Sequence, residues 1–288
     1  VSLAVPEPVG STLDLAELSP DVFGSTGAHR IATADARGGA ASRDGDRRRV
    51  FGGQLLGQAL RAACRSVPAG RLPRSLHAYF LAGPDPGLPL EYVVERVRDG
   101  RTVSHRRVRA RQSDRELLSL EASFDAAEPG FEFQDRPAAG AGPDQLSAAT
   151  GEAAHDWSGV ELRFAENTAA GFHAAHRRIW MRTRHPLPPD PVLHACALTY
   201  MSDLALIRTA LLPEPVASHE APVRLASLDH AVWFHRPAPA DRWLLLESIA
   251  PASRGTRALT IGHVYDEAGR LAVTVAQQGT LRAQPGPR

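Results

Sequence analysis

Three polar side chains sit where the chain is otherwise apolar. Asp203 lies in Tyr-Met-Ser-Asp-Leu-Ala-Leu-Ile (200–207), with Thr199, Tyr200, Leu206 and Ile207 as its neighbours at helical spacing. Ser227 lies in Leu-Ala-Ser-Leu-Asp-His-Ala-Val-Trp-Phe-His-Arg-Pro (225–237), and Gln277 continues the alternating face of Leu271, Val273 and Val275. A carboxylate on an apolar stripe costs on the order of several kcal/mol unless donors stand nearby. Burial makes it a stronger base, and donors weaken it. A hydroxyl and a carboxamide each donate and accept, so together they can fix one water while the carboxylate takes its proton. Such a kit suits attack of water on an acyl carbon. A thioester carbonyl, weakly stabilised by resonance, needs no covalent nucleophile for that step. Each residue also has a plain structural reading: an aspartate bound to backbone groups, a satisfied hydroxyl within a strand, a buried amide.

These side chains need a helix and a sheet to bring them together. Apolar periodicity predicts a helix over 192–212 carrying Asp203, and strands over 224–236, 243–251, 256–265 and 270–282. Alternation puts Gln277 inward and Gln278 outward. It does not decide Ser227, whose face would hold Leu225, Asp229, Ala231 and Trp233 against Ala226, Leu228, His230, Val232 and Phe234 on the other. Upstream, Phe51-Gly52-Gly53-Gln54 opens a second helical pattern through Leu55, Leu56, Ala59, Leu60, Ala63 and Cys64. Its glycines either let the helix lie close against a sheet or present N–H groups to an anion or carbonyl oxygen. Gly52, Gly53 and Gln54 are therefore candidate substrate-binding residues. His77 is a fourth, though a histidine hydrogen-bonded between two halves of the molecule fits it as well. Strands are expected over 75–81, 88–98, 101–112 and 116–124, joined by the turns 83–87, 99–100 and 112–114.

The two sets of elements resemble each other at an offset of about 155 residues. Leu76-His77-Ala78-Tyr79-Phe80 echoes Asp229-His230-Ala231-Val232-Trp233-Phe234, and Arg98-Asp99-Gly100-Arg101-Thr102 echoes Ser253-Arg254-Gly255-Thr256-Arg257. Leu118-Ser119-Leu120-Glu121-Ala122 echoes Val273-Thr274-Val275-Ala276-Gln277, so a methyl in one copy stands where the other has a carboxamide. One long helix wrapped by an antiparallel sheet, occurring twice, is an α+β double hot-dog. The expected division is 1–125, an Ala/Gly/Pro-rich linker over 126–158, and 159–288 carrying the candidate triad. A length of 288 residues accommodates two such modules of about 130 residues.

Composition removes several chemistries. All 33 basic residues are arginine, so no Walker lysine, Schiff base or pyridoxal-phosphate site can form. A formal net charge of +1 does not favour nucleic acid as the main partner. There is no Gly-x-Ser-x-Gly elbow, no His-Glu-x-x-His and no Gly-x-Gly-x-x-Gly loop. The pairs His173/His176 and His230/His235 are expected to lack carboxylate company, which argues against a metal site. No metal or cofactor is expected. Cys64 and Cys196 fall in apolar helical runs, as reduced thiols would. Arg107, Arg109 and Arg111 alternate along one strand, as a solvated face or a place for a nucleotide phosphate. No membrane span is expected, and a cytoplasmic location is the default.

Several long motifs resemble the acyl-CoA thioesterase II (TesB-type) family. They are Val-Phe-Gly-Gly-Gln-Leu-Leu-Gly-Gln-Ala-Leu (50–60), His-Ala-Tyr-Phe-Leu (77–81), Val-Arg-Asp-Gly-Arg (97–101) and Ala-Ser-Phe (122–124). Tyr-Met-Ser-Asp (200–203), Leu-Asp-His-Ala-Val-Trp-Phe-His-Arg-Pro (228–237) and Gln-Gln-Gly (277–279) continue the series in the same order. The resemblance implies a double hot-dog acyl-CoA hydrolase that forms dimers or higher homo-oligomers. Its Asp, Thr or Ser, and Gln bind the attacking water, and these roles fall on Asp203, Ser227 and Gln277. The bacterial form more often carries Thr where this chain has Ser227. Two other readings stay open. Pro189-Asp190-Pro191-Val192-Leu193-His194 distantly resembles the Asp-to-His motif of hot-dog enoyl-CoA hydratases and dehydratases, without its Asn-Pro and one residue short. A non-catalytic acyl-CoA-binding protein would share the fold.

Overall fold

The computed structural model describes residues 8–25, 30–31, 49–85, 88–135, 137, 140–146, 159–165, 176–213 and 223–283. The first half supplies a helical turn α1 (Val9–Thr12), strands β1 (Ala16–Ser19) and β2 (Val22–Ser25), and a small pair β3 (Arg30–Ile31) and β4 (Arg49–Val50). Helix α2 (Gly52–Cys64) follows, then β5 (Leu72–Phe80), β6 (Leu90–Asp99), β7 (Val103–Gln112) and β8 (Arg115–Asp125). The second half supplies β9 (Val160–Ala165), β10 (His176–Thr183), α3 (Pro191–Ser202), β11 (Val223–Ser227) and β12 (Asp229–Phe234). It closes with β13 (Leu244–Arg254), β14 (Arg257–Asp266) and β15 (Leu271–Ala283).

Thirteen of the described strands make one antiparallel sheet, ordered β1-β2-β6-β7-β8-β5-β12-β15-β14-β13-β10-β9, with β11 paired to β15 beside that path. The order has the same pattern read from either end: β1 answers β9, β2 answers β10, and β5 answers β12 at the centre. The fold is thus an α+β double hot-dog, its copies joined where β5 pairs with β12 at Tyr79↔Asp229, His77↔Ala231 and Ser75↔Trp233. Alternation sets each strand's faces. In β7, Ser104, Arg106, Val108, Ala110 and Gln112 are buried. Arg107, Arg109 and Arg111 face outward and pair across strands with Glu121, Glu116 and Glu91, which makes them a solvated face.

The two helices lie against the sheet's inner side and against each other. Asp190 caps α3 by accepting the Val192 N–H at 2.9 Å, with Pro191 in the first turn. At Gly53 a Cβ would stand 2.4 Å from the Tyr200 carbonyl oxygen, and at Gly57 3.1 Å from that of Cys196. Small residues thus let the backbones meet, and the contacts run antiparallel, so α2 begins where α3 ends.

Three sequence expectations need correction. The helix over 192–212 stops at Ser202; Asp203 is its C-cap, and a separate 3-10 turn covers Ile207–Leu211. No Gly or Pro marks the stop, and apolar spacing continues because Leu204, Leu206 and Ile207 are also buried. The strand over 224–236 is two strands. Ser227 pairs with Gly279 and Ala231 with Ala276, so four residue steps on one side face three on the other. That extra residue is a β-bulge at Leu228–Asp229. Asp229 Oδ1 accepts the Gln278 N–H at 2.7 Å within the bulge, and Leu228 N–H donates to the Gln278 carbonyl at 2.9 Å. Finally, His77 and His230 are not equivalent positions. His77 pairs with Glu121 and Ala231 with Ala276, which makes Leu76 the counterpart of His230. One residue of slip changes the face.

Candidate functional site

The bulge decides what alternation left open. Without it Ser227 would share a face with Ala231 and exposed Trp233. With it, Ser227 shares the inner face with His230, Val232 and Phe234, all buried. Gln277 on the neighbouring strand points the same way and is fully buried. Asp203, at the end of α3, is 9% exposed.

The three meet through one amide nitrogen. Gln277 Nε2 donates to Asp203 Oδ1 at 2.5 Å and to Ser227 Oγ at 2.9 Å. Both hydrogens of that nitrogen are then spent, which fixes the amide orientation and leaves Oε1 as an acceptor. Oε1 is buried and receives no hydrogen bond from the described residues. The Gly53 N–H, at the start of α2, also donates to Asp203. A helix N-terminus favours a carboxylate, yet burial outweighs both donors and raises the Asp203 pKa to about 7. The result is a carboxylate basic enough to take a proton from water near neutral pH and acidic enough to return it.

Gly52 stands against the other carboxylate oxygen. A Cβ there would lie 2.8 Å from Asp203 Oδ2 and 3.0 Å from the Phe80 ring. The space beside Oδ2 therefore exists because residue 52 has no side chain. Gly53 packs on helix α3 rather than on the sheet expected from the sequence, and it donates its N–H to Asp203. Gln54 is fully buried and donates to Gln58, which bonds Tyr92, Ser25 and the Thr12 carbonyl. His77 is not brought to the site. It is exposed on the outer sheet face, its ring edge-on to Trp233 at 5.2 Å.

Sequence reasoning passed over His230. Its Nε2 lies 2.8 Å from Ser202 Oγ and its Nδ1 3.9 Å from Asp203 Oδ1. The expectation that this histidine lacks carboxylate company is corrected: the carboxylate arrives from α3, not from nearby sequence. Its place on the apolar Val232 and Phe234 face of the strand is the signal in the sequence. His173 lies outside the described residues.

Other candidate groups are engaged elsewhere. Asp190 caps α3 and pairs with Arg61 at 3.2 Å, while His194 Nδ1 accepts the Ala240 N–H at 3.0 Å. These bonds occupy the two residues of the hydratase-like stretch. Cys64 is partly buried and Cys196 fully so. A hydrogen bond to Cys196, followed by burial, pushes the Cys64 thiol well up, the opposite of an activated nucleophile. Among the described residues no three His, Cys, Asp or Glu side chains are grouped to hold a metal, and no helix is long and apolar enough to cross a membrane.

A shallow apolar depression enclosing about 20 Å³ lies between α3 and the seam, lined by Leu72, Pro73, Pro191, Ala195, Leu198 and Phe234 and also by Arg74 and Arg236. Leu198 precedes Asp203 by little more than one helical turn, about 7 Å along the axis.

Comparison with known proteins gives a consistent picture. A family profile described as acyl-CoA thioesterase matches residues 149–280, and one described as acyl-CoA thioesterase N-terminal domain matches residues 42–125. Human acyl-coenzyme A thioesterase 8 is 34% identical over 263 residues, spanning 83% of this chain and 82% of the relative. Acyl-CoA thioesterase 2 of Haemophilus influenzae is 34% identical over 252 residues, spanning 82% and 88%. The crystal structure of an acyl-CoA thioesterase II, TesB2, from Mycobacterium marinum superposes with a TM-score of 0.79 at 33% identity, covering 97% of this chain and all of that one.

Proposed function

Because the chain belongs to the acyl-CoA thioesterase II (TesB-type) family and hydrolyses acyl-CoA, we propose that Asp203 is its general base and that Ser227 and Gln277 orient the attacking water. The carboxylate takes one proton from the water as its oxygen bonds to the thioester carbonyl carbon. The tetrahedral intermediate then collapses with loss of the C–S bond. Asp203 returns the proton to the sulfur, leaving a carboxylic acid and free CoA. Gln277 Oε1 is free to accept the second water hydrogen, and the Ser227 hydroxyl to steady the water oxygen. The Gly53 N–H is spent on Asp203, so the carbonyl oxygen falls to the Gly52 end of α2, where a helix N-terminus favours developing negative charge.

The observation that carries this reading is the single Gln277 nitrogen tied to both Asp203 and Ser227. A buried glutamine could be satisfied in many ways. One that spends both hydrogens on the other two candidates locks all three into a fixed geometry before substrate arrives. The acyl chain lies between helix and sheet among apolar side chains, and the residues over 159–288 carry the chemistry, with 126–158 as linker. A second copy associates with the first; light scattering on the purified chain reads that directly.

The test is thiol release from a series of acyl-CoAs, short to long and branched, followed with an aromatic disulfide reagent. Wild type releases CoA, and Asp203→Asn binds substrate without turnover. Turnover in that variant at the wild-type rate removes Asp203 from the mechanism. Loss of the enoyl thioester absorbance with crotonyl-CoA, without thiol release, would instead indicate hydration.

A further inference from the structure

We infer that His230 is a positioning residue for this hydrolysis, its bare Nδ1 serving as the acceptor for the Asp203 carboxyl group once that group has taken the water proton. The inference rests on Asp203 being the base and adds the group that stabilises the base after it has worked. Two side chains beside Asp203 each carry a buried acceptor without a hydrogen-bond partner among the described residues: Gln277 Oε1 and His230 Nδ1. The water uses the first. Nothing in the mechanism above uses the second.

The tautomer follows from the neighbouring serine. Ser202 Oγ donates its one hydrogen to the Thr199 carbonyl at 2.9 Å. Toward His230 Nε2, 2.8 Å away, that oxygen can only accept, so Nε2 carries the hydrogen. Burial holds the imidazole neutral, its pKa pressed down to about 3. Nδ1 is therefore a lone pair, 3.9 Å from Asp203 Oδ1. Two lone pairs facing each other disfavour the carboxylate. A carboxylic acid in the same place needs only a small rotation to donate to Nδ1. The interaction strengthens as the proton moves from water to Asp203, which is the condition for lowering a barrier rather than merely binding. His230 gains no proton at any step. Ser202 precedes the base directly in the chain, so the same bond fixes the ring relative to Asp203.

The first-half counterparts, Leu76 for His230 and Ala122 for Gln277, are apolar and buried. The polar pair belongs to the half that holds Asp203, and a core histidine unrelated to the chemistry would have no reason to follow it.

The experiment compares His230→Gln, His230→Asn and Asp203→Asn in the full-length protein. Gln places its amide near Nε2, keeping a donor to Ser202 and losing the acceptor toward Asp203. Asn places its amide oxygen near Nδ1. The expected result is a fall in kcat of about tenfold for Gln at unchanged KM, the scale of one hydrogen bond made only in the transition state, with partial recovery in Asn. Wild-type kcat in His230→Gln while Asp203→Asn is inactive overturns the role of His230 and leaves the base intact. An active Asp203→Asn overturns both. If His230→Gln does not fold, ¹⁵N spectra of histidine-labelled wild type at about pH 8 decide. The ring with through-space contacts to Ser202 must show a protonated Nε2 and a bare Nδ1, and the opposite tautomer overturns the proposal.

Discussion

Replacing Asp203 by Asn should abolish turnover and stabilise the protein, and the stabilisation should depend on pH. Burial lifts the carboxyl from its usual value of 3.8 to about 7. An acid with a higher pKa in the folded chain holds its proton more tightly there. Its contribution favours the folded state in acid and is lost as pH rises from about 4 to about 7. Above that window the folded protein carries a charged, desolvated group at a cost of about 4 kcal/mol, from about 1.4 kcal/mol per pH unit of separation. Asn is never charged and escapes the cost. It gives up part of the bonds from Gln277 and the Gly53 N–H, about 1 kcal/mol each. Net stabilisation of about 2 kcal/mol remains at about pH 8, or roughly 4 °C in Tm for a chain of this size. Near about pH 5 the two effects cancel. Thermal unfolding of wild type and variant at both pH values measures the difference, with thiol release as the activity control. A Tm difference that is the same at both pH values, or a variant less stable at the higher one, refutes the claim that this carboxylate is held against its desolvation cost.

The same carboxyl should set the acid limb of kcat/KM near pH 7, because only its charged form takes a proton from water. Gln277→Ala removes a donor that lowers the Asp203 pKa, so the limb should move upward while kcat falls by about 100-fold; a pH–rate profile reads both. Ser227→Ala should lower kcat by about tenfold with little change in stability, and Ser227→Thr should retain most activity because it keeps the hydroxyl. Gly53→Ala should destabilise the protein by about 2 kcal/mol or more, since its Cβ would stand 2.4 Å from the Tyr200 carbonyl oxygen; urea unfolding measures that loss.

Much of the double hot-dog was legible because it rests on alternation and repetition, which survive small errors in register. The inward face of Gln277 could be counted from Leu271, Val273 and Val275, since β15 carries no irregularity between Val273 and Gln277. Ser227 could not be placed by counting. The extra residue at Leu228–Asp229 reverses the alternation between Ser227 and His230, and no glycine or proline announces it. The shared His-Ala dipeptide makes His77 look equivalent to His230, although one faces solvent and the other lies 3.9 Å from Asp203. Asp203 was legible as a carboxylate among apolar residues, but its position as a C-cap was not. The apolar spacing runs on past Ser202 because the next turn packs inward too. Gly53 needed the fold, for only the approach of α3 shows that one glycine both packs and donates.

The central claim is that Asp203 activates water and never bonds to the acyl group. A single turnover with enzyme in excess, run in ¹⁸O-labelled water, tests it most directly. Direct water attack puts one ¹⁸O into the released acid and none into the peptide containing Asp203. A first-turnover acid without label, with ¹⁸O found in the Asp203 carboxyl, would mean that an anhydride forms on this residue.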